Sequence, residues 1–360
     1  MRSSHLLVLV LTFCSTAAPR AQQVMVVPNG AAAVDGTTRG QLAGLEERFR
    51  QQFLFGDGLL QGLRRSQILS LAFRRDGHLR HQPGVTVQLQ VALSTSTRDV
   101  AAAASVFAVN RGAVSVVYSG TLNVATSPRL SHRDAATWST PDAITLPFLA
   151  PYVYQNGTLC IDIDGEPVGA PSPWWPIDYE TDSVTGIATR LGQACGVVAN
   201  HASSSGMVDA RTLRPGATAS LVGVGAANSP NVLLLGTTQF NPPIDLTFLG
   251  AAGCWLHLTP DITIPGSIGP SFGARPIGLR VTALEVPAGP AALGACLYAQ
   301  GAGVEATGLT TTAGLKLQLA TNPTRLNAVA IRSRSVASGT LPVDGVVEPW
   351  RMPVVRFSYR

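Results

Sequence analysis

Hydrophobic and polar residues alternate with a period of two along much of this chain. Val85, Val87, Leu89, Val91 and Leu93 are separated by Thr, Gln and Ala, the pattern of a strand buried on one face. Similar patterns predict strands near 68–74, 114–122, 143–149, 158–164, 217–224, 231–236, 254–259, 277–286, 294–300, 314–319, 326–332 and 353–359. Clusters of Gly, Pro, Asn and Ser bound most of them, as turns between strands require. One stretch, 40–53, sets Leu42, Leu45, Phe49 and Phe53 three to four residues apart, which suits a helix face, although an edge strand fits equally. The pattern predicts an all-β protein of two antiparallel β-sandwich domains, jelly-roll-like or Ig-like, with little helix.

The N-terminus departs from this pattern. Arg2 precedes an apolar run from Leu6 to Phe13, followed by the small residues Ser15, Thr16, Ala17, Ala18 and Ala21. That is the organisation of a signal peptide, expected over 1–21 with cleavage between Ala17 and Ala21. The run is too short to cross a bilayer, which needs ~20 residues, and no later apolar stretch reaches that length uninterrupted. The mature chain is therefore expected to carry no transmembrane segment and to be exported, to the periplasm, the cell surface or the extracellular space. The rest is too long for one small sandwich. An N-terminal sandwich over 22–185 and a C-terminal module over 186–321 are expected, joined in the Gly-rich stretch 183–215. The strands of 322–360 either close the first domain or extend the second.

Composition narrows the class. Charged residues make up 13% of the chain, against a usual ~25%, while 46% is hydrophobic. A disordered chain needs the reverse, and long charged helices or coiled coils need more Glu and Lys. With 36 Gly and 25 Pro among 360 residues, the chain is turn-rich without reaching low complexity. The net charge is +5, and its distribution says more than its size. Residues 1–140 hold 14 basic and 7 acidic side chains, whereas 141–185 hold seven acids and no base. The basic residues are scattered through strand-like segments, so no nucleic-acid partner is expected.

Beyond the leader the chain has four cysteines, Cys160, Cys195, Cys254 and Cys296. An even number in an exported protein implies two disulfides, with three possible connectivities. Strand alternation turns Cys254 inward with Leu256 and Leu258. It turns Cys160 outward with Asp162 and Asp164, and sets Cys296 with Tyr298 and Gln300. These faces favour Cys195–Cys254 and Cys160–Cys296. The absence of a CxxC pair excludes zinc ribbons and thioredoxin-type redox chemistry.

Residues 244–261 (IDLTFLGAAGCWLHLTPD), 292–305 (ALGACLYAQGAGVE) and 308–319 (GLTTTAGLKLQL) resemble a C-terminal β-rich module of uncharacterised exported bacterial proteins. Its recurring features are a GC near the module start, a second GC before a strand, and a YAQ strand. Here 192–196 (GQACG) matches the start, and Cys160 and Cys296 depart from the pattern. Upstream, 47–55 (ERFRQQFLF), 68–77 (ILSLAFRRDG) and 85–96 (VTVQLQVALSTS) resemble the N-terminal sandwich that accompanies it. The resemblance implies export and a β-sandwich fold; it implies no activity and no catalytic residues.

Motifs for catalysis are missing: the sequence has no GxSxG elbow, HExxH, P-loop or GxGxxG. His78 and His81, close to Asp76, sit in a Gly- and Pro-bounded stretch that reads as a solvated turn. Ser131, His132 and Asp134 are chain neighbours, and a triad is defined by geometry rather than adjacency. Asn156-Gly157 is expected to make a hairpin turn before the strand near 158–164.

The acidic segment carries the candidate chemistry. Asp162 and Asp164 alternate with Ile161 and Ile163, which puts both carboxylates on one strand face. Glu166 follows, and Asp178, Glu180 and Asp182 come after a Pro-rich loop bearing Trp174 and Trp175, with Tyr179 beside them. Carboxylates without basic partners repel one another, and calcium relieves that repulsion with oxygen ligands. Indole and phenol faces stack on sugars, giving Trp174, Trp175 and Tyr179 as a carbohydrate platform. Against both stands the plainer reading, in which the Trp residues plug the sandwich end or the inter-domain seam and the acids are either solvated or paired with arginines of the basic N-terminal half. The sequence thus predicts an exported, non-enzymatic binding or structural module of the cell envelope or extracellular space. Its expected partners are a polysaccharide or another envelope protein, with calcium the one candidate cofactor. The alternative is a glycosidase or polysaccharide lyase using carboxylates of 162–182, a chemistry that needs no sequence motif.

Overall fold

Phe49–Phe55 is a strand in which every residue is buried. In the computed structural model, which describes residues 21–77, 81–130, 136–169, 175–199, 208–271, 276–306, 308–323 and 325–360, its two faces enter different layers. Phe49, Phe53 and Phe55 join the main apolar core, while Leu54 joins a smaller cluster with Phe107, Cys160, Val329 and Ile331. Arg50 and Gln52 share that second face. This is why the segment lacks a simple alternation: it is covered on both sides, and it is a central strand rather than a helix or an edge.

The strand belongs to a six-stranded antiparallel sheet in the order Val346–Glu348, Ala328–Arg332, Phe49–Phe55, Leu159–Pro167, Val85–Thr95, Ser115–Val124. Against its inner face packs a four-stranded sheet of Gln23–Val27, Val355–Tyr359, Ser66–Arg74 and Ala143–Tyr154. A three-stranded sheet of Thr38–Gly40, Ile177–Thr181 and Arg351–Pro353 contributes Tyr179 and Met352 to the same core. The outer face is covered by the short 3₁₀ turns Val100–Ala102 and Phe107–Asn110.

A second set of sheets occupies the chain between Ile187 and Gln318. Ile187–Leu191, Gly314–Gln318, Cys296–Glu305, Pro230–Gly236 and Ile262–Ser267 form one sheet, with Gly308–Thr311 paired to Cys296–Glu305. The pair Thr218–Ala226 and Ile277–Glu285 lies over it, sharing a core of Leu213, Leu221, Leu233, Leu315 and Leu317. Gln239–Asp245 pairs with Trp255–Leu258 in a separate two-stranded sheet. The fold is all-β and antiparallel, with no α-helix among the described residues.

Strand pairing decides where the C-terminal residues go. Ala328–Arg332 pairs with Phe49–Phe55, Arg351–Pro353 with Ile177–Thr181, and Val355–Tyr359 with both Gln23–Val27 and Ser66–Arg74. The last strands therefore complete the first set, and the second set is an insertion between Ile177–Thr181 and Ala328–Arg332. The turn at Asn156-Gly157 is present, with Gly157 at φ +88°. It is not a hairpin, because the preceding strand pairs with Ser66–Arg74 while Leu159–Pro167 lies in the other sheet. Here the turn carries the chain from one layer to the next.

Candidate functional site

The acidic strand Leu159–Pro167 runs antiparallel between Phe49–Phe55 and Val85–Thr95, with Gln52 opposite Asp162 and Arg50 opposite Asp164. Period two then brings Arg48, Arg50 and Gln52 to the face that carries Asp162 and Asp164. Arg50 grips Asp162 with two hydrogen bonds, Nε to Oδ1 at 2.8 Å and Nη2 to Oδ2 at 2.6 Å. Gln52 Nε2 at 2.9 Å and Arg111 Nη1 at 3.1 Å donate to the same Oδ2. Arg50 also donates to the Pro342 carbonyl and stacks 4.8 Å over the Phe107 ring. The fork geometry of arginine is what lets one carboxylate be held so completely.

Further along the strand, Arg48 bridges two acids, reaching Asp164 at 3.1 Å and Glu166 at 2.5 Å. Its Nε donates to the Thr340 carbonyl, and Ser338 donates to Glu166, so the network joins three distant stretches of chain. Burial pushes the Asp164 carboxyl above its ordinary range, and Arg48 and Arg50 pull it back. The hydrogen bond from Arg48 holds Glu166 low.

The remaining acids sit elsewhere. Asp178 is fully buried against Arg74 and accepts the Gly36 amide at 2.8 Å. Burial raises its carboxyl to about 6, opposed by Arg74. Glu180 accepts from the Thr37 amide at the surface. Asp182 accepts from Arg214 at 3.4 Å and from the Arg325 amide at 2.8 Å. It therefore clamps the point where the chain leaves the first set of sheets to the point where it returns. Among the described residues, no group of three or more His, Cys, Asp or Glu side chains is placed to hold a metal. The six acids expected as a calcium site are thus distributed over ion pairs and hydrogen bonds in different parts of the fold, with Arg48 shared by Asp164 and Glu166.

The aromatic platform is corrected by burial. Trp175 is 0% exposed and Tyr179 1%, both within the main core, so neither presents a face to a sugar. Tyr179 stacks edge-on against Phe53 at 6.3 Å, and its ring lies where a Cβ on Gly40 would come within 2.2 Å. Trp174, His78, Ser131, His132 and Asp134 lie outside the described residues, as does the expected signal peptide through residue 20.

Of the expected disulfides, Cys195–Cys254 is present. Cys160–Cys296 is not: Cys160 is a buried thiol and Cys296 an exposed one. Cys160 does share a face with Asp162, but the turns Val100–Ala102 and Phe107–Asn110 cover that face, packing with Val329 and Ile331 of the same sheet. Cys296 begins a strand of the other set of sheets. Burial drives the Cys160 thiol to about 12, which removes its reactive thiolate. Alkylation of the native protein with iodoacetamide, mapped by peptide mass, is expected to modify Cys296 within minutes and leave Cys160 untouched until the fold is unfolded.

Residues singled out as recurring motifs turn out to be structural joints. Gln300, in the YAQ strand, is 1% exposed. It accepts from the His257 amide at 2.9 Å and donates to the carbonyls of Trp255 and Thr312 at 2.7 and 2.8 Å. In GQACG, Gly192 (φ +64°) lies against the His257 ring, where a Cβ would fall 2.2 Å from Cε1. His257 Nε2 is buried with no hydrogen-bond partner, and burial holds its imidazole below the ordinary 6.5. On acidification the unfolded chain takes up this proton before the folded one. The stability present above pH 6.5 is then lost as pH falls through the folded-state value. Melting temperature measured from pH 7.5 to 5 is expected to fall, and to fall less in His257→Leu.

The fold and this arrangement define an all-β protein of stacked antiparallel sheets, stapled by the Cys195–Cys254 disulfide and riveted by buried arginine–carboxylate pairs. Among the described residues no helix is long and apolar enough to cross a membrane. A scan against family models finds no match to the chain, and searches of curated proteins and of solved structures find none either.

Proposed function

We propose that the protein is an exported, non-catalytic module of the cell envelope or extracellular space, whose acidic segment holds the fold together rather than a ligand. The observation that carries this reading is the engagement of Asp162 by Arg50, Arg111 and Gln52, with Arg48 spanning Asp164 and Glu166. A glycosidase needs two carboxylates facing an open cleft, one of them free to exchange a proton with substrate. A calcium site needs carboxylate oxygens that are not already spent on guanidinium groups. The Cys195–Cys254 disulfide supports export, since such bonds persist in oxidising compartments.

A thermal-shift screen of the full chain tests the reading, because any ligand selective for the native state raises the melting temperature. Calcium chloride and EDTA are expected to leave the transition unmoved. A saturable calcium-dependent rise that disappears in Asp164→Asn would overturn the structural role of the segment. Release of reducing ends from any member of a polysaccharide panel, lost in the same variant, would replace this reading with the carbohydrate-active one.

A further inference from the structure

In the inserted set of sheets, the pair Thr218–Ala226 and Ile277–Glu285 does not close fully over the larger sheet. A cavity of about 210 Å³ remains between them. Six leucines line it: Leu213 and Leu221 on one side, Leu284 at the edge, and Leu297, Leu317 and Leu319 on the other. A smaller void of about 30 Å³ also touches Leu221, under Leu233 and Leu315. The core here consists mainly of aliphatic side chains, with no aromatic ring to fill the gap. Polar groups are confined to the rim, where Cys296 is exposed and the Glu285 carboxylate is engaged by Ser105.

We propose that this cavity is a binding site for the short alkyl chain of a small amphiphile. Away from its rim, a leucine-lined space of this size offers water no side-chain hydrogen-bond partners, and a cavity of ~150 Å³ with such walls stays dry and admits benzene. An apolar chain therefore enters without displacing well-held water, and gains the contacts that the unfilled walls lack. The exposed residues of its lining, Glu285, Pro287, Ala295 and Cys296, mark where the cavity meets solvent, so the polar head of the ligand stays in water there while the chain is buried. The site is separate from the acidic segment, and its failure leaves the function proposed above untouched.

The test uses the full chain with 1-octanol as the probe and 1,8-octanediol as its counterpart, which has to bury a hydroxyl. Two readouts apply: the melting temperature, and the rate of Cys296 alkylation followed by peptide mass mapping. Octanol is expected to raise the first and slow the second at least tenfold at saturation, with the diol at least tenfold weaker. Ala219→Phe, which places a ring in the cavity, and Leu319→Trp, which fills its wall, are expected to abolish both responses. No response to octanol up to its aqueous solubility overturns the proposal. So does an equal response to the diol, or an unchanged octanol response in whichever of the two variants folds.

Discussion

Asp162→Asn is expected to lower the stability of the protein by about 3–5 kcal/mol, the usual cost of removing one partner from a buried ion pair. The side chains of Asp162 and Arg50 are each only 7% exposed, so the charge left on Arg50 has little access to water that could replace the lost carboxylate. Arg50, Arg111 and Gln52 then share a single neutral carbonyl oxygen in place of a carboxylate, and the new amide NH2 faces donors. Glu166→Gln provides the contrast. That carboxylate is 29% exposed and held mainly by Arg48, and its loss is expected to cost no more than about 1 kcal/mol. Urea denaturation of the two variants, compared by midpoint at constant slope, measures the difference. If Asp162→Asn shifts the midpoint no more than Glu166→Gln does, the network is not what holds this layer. Pairing Asp162→Asn with Arg50→Met is expected to recover part of the loss, because the uncompensated charge is then gone.

Removing the disulfide, as Cys195→Ala with Cys254→Ala, is the second large effect. The bond joins residues 59 apart in sequence, and opening a loop of that length costs about 2–4 kcal/mol through the unfolded chain. The loss is expected to be local. Amide hydrogen exchange should accelerate in Gly308–Thr311 and Gly314–Gln318, next to the bond, and stay unchanged in Phe49–Phe55 and Leu159–Pro167. The reason is connectivity: the first set of sheets is closed by its own C-terminal strands and does not depend on the loop within the insertion. Equal acceleration in both sets would mean that the whole chain unfolds as one unit.

Much of the secondary structure was legible from alternation. Strands such as Val85–Thr95 and Leu159–Pro167 bury one face in the main core, so hydrophobicity repeats every second residue. Phe49–Phe55 was not, because both of its faces are covered and the period disappears. Ile187–Leu191 escaped for the opposite reason: it is exposed along nearly its whole length and has no inward face to mark. The outward orientation expected for Cys160 was right about the face and wrong about its exposure. A strand pattern says which residues share a side, while only a distant segment, here Phe107–Asn110, determines whether that side meets water.

The charge contrast between residues 1–140 and 141–185 was the most informative feature of the candidate site. Pairing between arginines of the first stretch and carboxylates of the second was one of the readings it allowed, beside solvated acids, a calcium site and a carbohydrate site. It could not name the pairs. Arg50 meets Asp162 because Phe49–Phe55 and Leu159–Pro167 are hydrogen-bonded in a particular register. Asp182 meets Arg214 because the insertion begins and ends at neighbouring points. Trp175 and Tyr179 looked alike as core or platform, since an aromatic side chain carries the same apolar area in either place.

By itself, then, the sequence determined the class of the protein: all-β, turn-rich, low in charge, with two sets of antiparallel strands and one disulfide already favoured by its inward-facing cysteine. Local periodicity and composition are enough for that, because strand faces and turns are specified by near neighbours. The order of strands, the return of residues 328–359 to the first set, the separation of Cys160 from Cys296 and the partner of each acid were decided only in three dimensions. Those features depend on contacts between residues far apart in the chain, and no local pattern encodes which distant strand will lie alongside.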